Sequence, residues 1–286
     1  MNAPALPESR IYTFVDEART FVLHFLEGQK LIQDLALIHP ITGLGFAYFR
    51  KVVLTVQPLI CLLKPGEHLG IYLDSSAPYF RLKLETSTGG NMRTMLLPED
   101  FREFPETFTG LLRLNKFSPN QPTPYQSLVE AEGLTLNSLI NRVLADSFQN
   151  QGSVLLGERS DQSALLLPLP EDPQQADSGE VPDVSEQLAT LVPMLQTVMS
   201  QALLAPEAIV AALTEHGFQH LAGRTVRFRC ECSLERMAQN IIMAYRNELD
   251  SLFDPGQEAL AITCEYCKAQ YAVTRSDLEQ ANQLFN

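Results

Sequence analysis

Two close cysteine pairs constrain this chain more than any other feature in it. Cys230-Glu-Cys232 is followed, after 31 residues, by Cys264-Glu-Tyr-Cys267. Four thiols at that spacing point to a tetrahedral thiolate metal site. Zinc suits such a site, being borderline-soft, free of redox chemistry and content with four sulfurs. The local pattern supports the geometry. Thr225-Val-Arg-Phe-Arg-Cys-Glu-Cys232 alternates, so a strand there would put Val226, Phe228, Cys230 and Cys232 on one face. Ser233 is placed to cap a helix over roughly Leu234 to Leu249. Leu260 to Thr263 reads as a second strand running into the Cys264–Cys267 turn. Ser276-Asp-Leu-Glu279 has capping-box spacing for a last short helix. Once a metal leaves, the closeness within each pair brings both into reach of a disulfide.

The remaining cysteine, Cys61, sits in Leu59-Ile-Cys-Leu-Leu63 and reads as a small buried hydrophobe. Five cysteines in 286 residues are too few for a disulfide-dense secreted scaffold. Met1 to Arg10 has neither the basic nor the apolar part of a signal peptide. The apolar run Val52 to Leu63 is interrupted by Thr55, Gln57 and Pro58, short of the ~20 residues a membrane span needs. The expectation is a cytoplasmic chain with no membrane partner and its thiols held reduced.

Charge divides the rest. The net charge is -13, which argues against nucleic acid as a partner. Between Arg159 and Arg224 lie 64 residues with no Lys or Arg and nine acidic side chains. Upstream, Ile71 to Asp74, Phe80 to Glu85 and Met92 to Leu96 read as strands, with a turn at Ser87 to Gly90. Leu134 to Phe148 has helical spacing, and Ala164 to Pro170 reads as a buried strand ended by prolines. Glu171 to Asp183 is a linker candidate. Beyond it, Leu188, Leu191, Leu195, Met199, Leu203, Ile209 and Leu213 fall on the apolar stripe of a helical hairpin broken at Ala205-Pro206, with Pro206 opening the second helix. The fold class is α+β: an N-terminal mixed α/β domain (1-178), an acidic helical linker (179-222) and a small zinc-binding domain (223-286).

The cysteine region resembles the 33 kDa chaperonin family, the redox-regulated heat-shock holdases of bacteria. The resemblance lies in Arg227-Phe-Arg-Cys-Glu-Cys-Ser-Leu-Glu-Arg236 with Thr263-Cys-Glu-Tyr-Cys-Lys-Ala-Gln-Tyr271. It continues upstream in Tyr125-Gln126 with Val129, Glu132-Gly133, Ser147-Phe-Gln149 and Leu165 to Pro170. Glu231, Leu234 and Phe148 depart from the family's usual residues, so the chain resembles a divergent member. The resemblance implies one Zn2+ held by Cys230, Cys232, Cys264 and Cys267 in the reduced state. It implies disulfides Cys230–Cys232 and Cys264–Cys267 on oxidation, with zinc released and the C-terminal domain and linker unfolded. It further implies ATP-independent capture of unfolding client proteins, with homodimers forming on activation. The hairpin stripe then supplies the client-binding candidates, and Met194 and Met199 suit varied partners.

Two rival readings remain. One is a zinc-ribbon binding module with a purely structural metal. The other is an enzyme, which the sequence disfavours: four thiolates leave a metal no open position for water, and no nucleophile elbow, phosphate loop or dinucleotide fingerprint occurs. His216 and His220 have ligand spacing, but Gly217 ends the helix between them. Glu99, Asp100, Glu103 and Glu106 read as a solvated face.

Overall fold

A computed structural model describes residues 5–18, 20–170, 184–245 and 248–283. The linker candidate Glu171 to Asp183 lies outside them. The protein forms two compact units, Met1–Phe228 and Arg229–Asn286. The divide falls after Phe228 rather than at 223, because Phe218–Thr225 is a strand of the first unit's sheet.

The first unit is built on two sheets. Strands β1 (Arg10–Asp16), β2 (Phe21–Glu27), β8 (Ser153–Leu156), β9 (Gln162–Pro168) and β10 (Phe218–Thr225) make a five-stranded sheet in the order β10-β1-β2-β9-β8, all neighbours antiparallel. The β1–β2 turn is closed by Asp16, whose carboxylate accepts from Thr20 N, Thr20 Oγ1 and Phe21 N, each at 2.7 Å. Strands β3 (His68–Ala77), β4 (Tyr79–Ser87), β5 (Asn91–Leu97), β6 (Phe108–Phe117), β7 (Tyr125–Leu134) and the two-residue β11 (Arg227–Phe228) make a six-stranded sheet in the order β11-β5-β4-β3-β6-β7.

The two sheets differ in cover, and their sequences show why. In β4, Phe80, Leu82 and Leu84 are buried while Arg81 and Lys83 are not, the alternation of a sheet with one wet face. In β2 nearly every residue is buried, because the five-stranded sheet is covered on both sides. One side meets α1 (Gln29–Ile38), α2 (Gly43–Val56), α3 (Leu136–Phe148) and the inner face of the six-stranded sheet, in a core containing Ile11, Leu26, Leu165, Tyr48, Phe49, Phe80 and Leu139. The other side, with Phe14, Phe21, Leu23, Phe25 and Leu166, meets the helical hairpin α4 (Val184–Ser200) and α5 (Pro206–Glu215). Two glutamines add polar ties to this packing: Gln162 Nε2 donates to Leu203 O at 2.6 Å and Gln196 Nε2 to Leu156 O at 3.1 Å.

The helical run Gly43–Leu62, α2 continued by a 3-10 turn, has the length and apolarity of a membrane span, longer than the interrupted stretch read from the sequence, and most of it is buried inside the protein. It is the central helix of the main core. Cys61 packs against that core, and burial pushes its thiol up to about 11, in keeping with an inert side chain. Thr135 caps α3 by accepting from Ser138 N at 3.1 Å. Gly90 ends the β4–β5 turn at φ +81°, and a Cβ there would lie 1.9 Å from Thr225 O. Only glycine allows that approach, in which Gly90 O accepts from Arg227 N at 3.0 Å.

The second unit contains α6 (Leu234–Tyr245), the hairpin of β12 (Ala259–Thr263) and β13 (Gln270–Thr274), and α7 (Arg275–Gln283). Its core is small: Ala238, Ile241, Ile242, Phe253, Val273, Leu278 and Ala281. The last helix is capped two residues earlier than the sequence pattern suggests. Thr274 Oγ1 accepts from Asp277 N, and Asp277 Oδ2 accepts from Thr274 N. Thr274-x-x-Asp277 is therefore the capping box, because β13 runs through Thr274 and α7 starts at Arg275.

Candidate metal centre

The first cysteine arm is not the strand that its alternation suggests. Pairing stops at Phe228, and Cys230 and Cys232 follow in irregular chain. Their orientation is fixed from the following helix instead. Arg236 Nη1 donates to Glu231 O at 2.8 Å, and Ser233 Oγ accepts from Arg236 N at 3.2 Å, the helix cap expected at Ser233.

The second arm is a tight knuckle at the tip of the β12–β13 hairpin. Cys264 N donates to Ala269 O and Lys268 N to Cys264 O, both at 2.8 Å. Lys268 takes a left-handed conformation at φ +62° to close it.

The two arms bring the four sulfurs together, all within 4.8 Å of one another. Cys230 and Cys264 are 3.7 Å apart, Cys232 and Cys267 3.2 Å, and none is in a disulfide. A tetrahedron with metal–sulfur bonds of about 2.3 Å has edges of about 3.8 Å. The sulfur cage is therefore sized for one metal ion, and an all-sulfur donor set selects a soft or borderline one. Cys264 is buried and the other three are half-buried. Among the described residues these cysteines are the one cluster of metal-ligating side chains. His216 and His220 are exposed, and His220 lies against the rings of Tyr12 and Phe14.

The thiols are not equivalent. Burial works against ionisation of Cys232, but hydrogen bonds from Tyr271 and the neighbouring thiols outweigh it and bring it down to about 7. Cys230 is held well above the usual thiol range, by burial first. Four sulfurs this close cannot all carry charge unless a cation sits among them, which is a second sign that the cage fits a metal. Tyr271, which the sequence reading did not single out, also meets the cage. Its hydroxyl donates to Cys232 Sγ at 3.1 Å. The available signal was its place on β13, just beyond the second cysteine pair.

The hairpin residues lie elsewhere. Leu195, Met199, Ile209 and Leu213 are completely buried against the five-stranded sheet, and Leu188, Leu191 and Leu203 pack around them half-buried. Glu99, Asp100, Glu103 and Glu106 are exposed, as expected.

A family model described as Hsp33 protein matches residues 9–274, all four cysteines included. The chain belongs to the Hsp33 family. It is 29% identical over 157 residues to the 33 kDa chaperonin of Nitrosococcus oceani, covering 55% of this chain and 53% of that protein. The match to the 33 kDa chaperonin of Pelobacter propionicus is 25% over 235 residues, covering 76% and 75%. The chain thus spans about half the length of the first relative and three quarters of the second. A crystal structure of the 33 kDa chaperonin (HSP33) from Thermotoga maritima superposes with a TM-score of 0.75, over 98% of this chain and 99% of that one. At 12% identity that likeness shows the Hsp33 fold, and it marks the chain as a divergent member.

Proposed function

We propose that this protein is a redox-regulated, ATP-independent holdase that captures unfolding proteins under oxidative stress. The observation that carries the reading is the four-sulfur cage, with every sulfur within 4.8 Å of the others. Cys230, Cys232, Cys264 and Cys267 hold one Zn2+ in the reduced state. Bound there, zinc supplies the positive charge that keeps all four sulfurs as thiolates, the form that oxidants attack.

Oxidation pairs Cys230 with Cys232 and Cys264 with Cys267. In each pair two thiolates give up two electrons to hydrogen peroxide, whose O–O bond breaks; with two protons taken up, one disulfide and two waters are the products. Forming either disulfide removes two of the four ligands. The second unit has a core in which two of the seven buried side chains are alanines. A structural zinc site contributes roughly 10–16 kcal/mol of apparent binding energy, much of it folding energy. Without it the unit unfolds.

Magnitude also fits the hairpin to the role of a concealed client surface. Burying Leu195, Met199, Ile209 and Leu213 is worth roughly 6–12 kcal/mol in total as an upper estimate. Thermal fluctuation does not expose such a stripe; a change on the scale of metal loss does. On this reading the segment 179–222 is the switching linker, clients meet its apolar stripe, and the oxidised protein associates as a homodimer in the cytoplasm. No catalytic residue is assigned.

The test measures zinc content and suppression of client aggregation on the same samples, reduced and after hydrogen peroxide with mild heat. Expected is zinc release together with a gain in suppression. Zinc release with no gain would leave the centre purely structural and defeat the proposal.

A further inference from the structure

We propose that Tyr271 is a positioning residue of the four-thiol centre, whose hydroxyl bond to Cys232 sets that thiolate's reactivity apart from the other three. Tyr271 Oη lies 3.1 Å from Cys232 Sγ. The ring is held for this task. Tyr271 sits on β13 opposite Ile262 of β12, and it packs against the second unit's core. The hairpin that presents Cys264 and Cys267 thus reaches across to a sulfur of the other arm. The hydroxyl ties the two arms together in addition to any metal they share.

The chemistry follows from the donor. An O–H aimed at a metal-bound thiolate draws off part of the sulfur's negative charge. That lowers its nucleophilicity and fixes the orientation of its lone pairs toward the metal. Ligand partners of this kind typically change metal affinity 10- to 100-fold. Cys232 is therefore the shielded member of the set.

The inference rests on the reading of these thiols as a zinc site, but not on the redox switch. Its test uses the full-length protein in excess zinc. Tyr271→Phe keeps the ring and deletes the hydroxyl. Iodoacetamide then reports each sulfur: the thiolate displaces iodide, an S–C bond forms as C–I breaks, and mass spectrometry resolves the four sites. Expected is alkylation of Cys232 about 10-fold faster with the other three rates unchanged, and zinc retention against a chelator weakened about 10- to 100-fold. Placing 3-fluorotyrosine at position 271 strengthens the donor without disturbing packing, and should slow Cys232 instead; this measurement decides if Tyr271→Phe fails to fold. A parallel rise at all four cysteines would mean a merely structural ring and overturn the inference, as would no change at Cys232 in either protein. A wild-type protein that holds no zinc overturns both this inference and the function above. One that holds zinc but has an indifferent Tyr271 overturns only this one.

Discussion

The five-stranded sheet and the cysteine unit are stabilised by opposite means. The sheet lies between two apolar layers, with Phe14, Phe21 and Phe25 facing one and Ile11, Leu26 and Leu165 the other. The cysteine unit gathers four sulfurs and has a core of seven buried residues, whose one buried aromatic side chain among the described residues is Phe253. Burial dominates in the first, whereas a unit with so small a core has the most to gain from a metal or equivalent cross-link. The lesson is that one chain can hold a part built on a large apolar core and a part with a small core and four gathered thiols.

The largest effect that would break this comparison is metal removal. Stripping the metal with a chelator, or the change Cys264→Ser, should cost the second unit on the order of 10–16 kcal/mol of metal-dependent stability and abolish its amide NMR dispersion. The core that the five-stranded sheet shares with α2 and the six-stranded sheet should stay folded, while the α4–α5 hairpin loses its cover. A second unit that stays folded without metal would erase the distinction. Next comes Leu195→Ala, which leaves a cavity between hairpin and sheet. It should destabilise the first unit by about 2–5 kcal/mol in denaturant titrations while zinc content stays unchanged.

A third test uses two buried groups on β2. Burial raises Glu27 from 4.5 to about 7, against a hydrogen bond from Gln29 N and with Asp161 adding to the rise. Its stabilising contribution is complete below about 4.5 and is lost as pH rises through about 7. Burial lowers His24 from 6.5 to about 4, with Arg224 adding to the fall. Its contribution is present above about 6.5 and lost as pH falls through about 4. Between about 4.5 and 6.5 the two slopes oppose each other, and each is worth up to about 3 kcal/mol. Glu27→Gln should leave first-unit stability rising with pH across that window, and His24→Gln should leave it falling. Identical profiles in the two variants would refute the assignment. The smallest effect is Thr274→Ala, which removes the α7 cap and should cost the second unit about 1 kcal/mol in thermal melts.

What was legible in the sequence follows the same divide. β4 was readable because its wet face leaves Arg81 and Lys83 between apolar neighbours. The hairpin break was readable because Pro206 starts a helix well. The cysteine set was readable because ligand spacing is local. Alternation misled at Val226, Phe228, Cys230 and Cys232, since it states which face a residue would take, not whether a partner strand is present. β10 was hidden because its exposed side chains from Gln219 to Gly223 say nothing of its pairing with β1. Tyr271 escaped because its partner lies on the other arm, a long-range relation no spacing rule contains.

The doubly covered sheet has one more consequence, centred on Asp16. A strand with one greasy side cannot slide by a single residue without turning that side to water. β2 has less of this protection, since both its sides are buried and largely apolar, with His24, bonded to Thr13 across the pair, the main polar exception on the side it shares with Val22 and Leu26. A slip of one position would exchange two largely buried faces, so hydrophobic burial alone defines the alignment of β1 and β2 less sharply than it does for β4. The carboxylate of Asp16, caught by three donors within the turn, supplies a further reference point. Asp16 acts as a register pin for the β1–β2 hairpin.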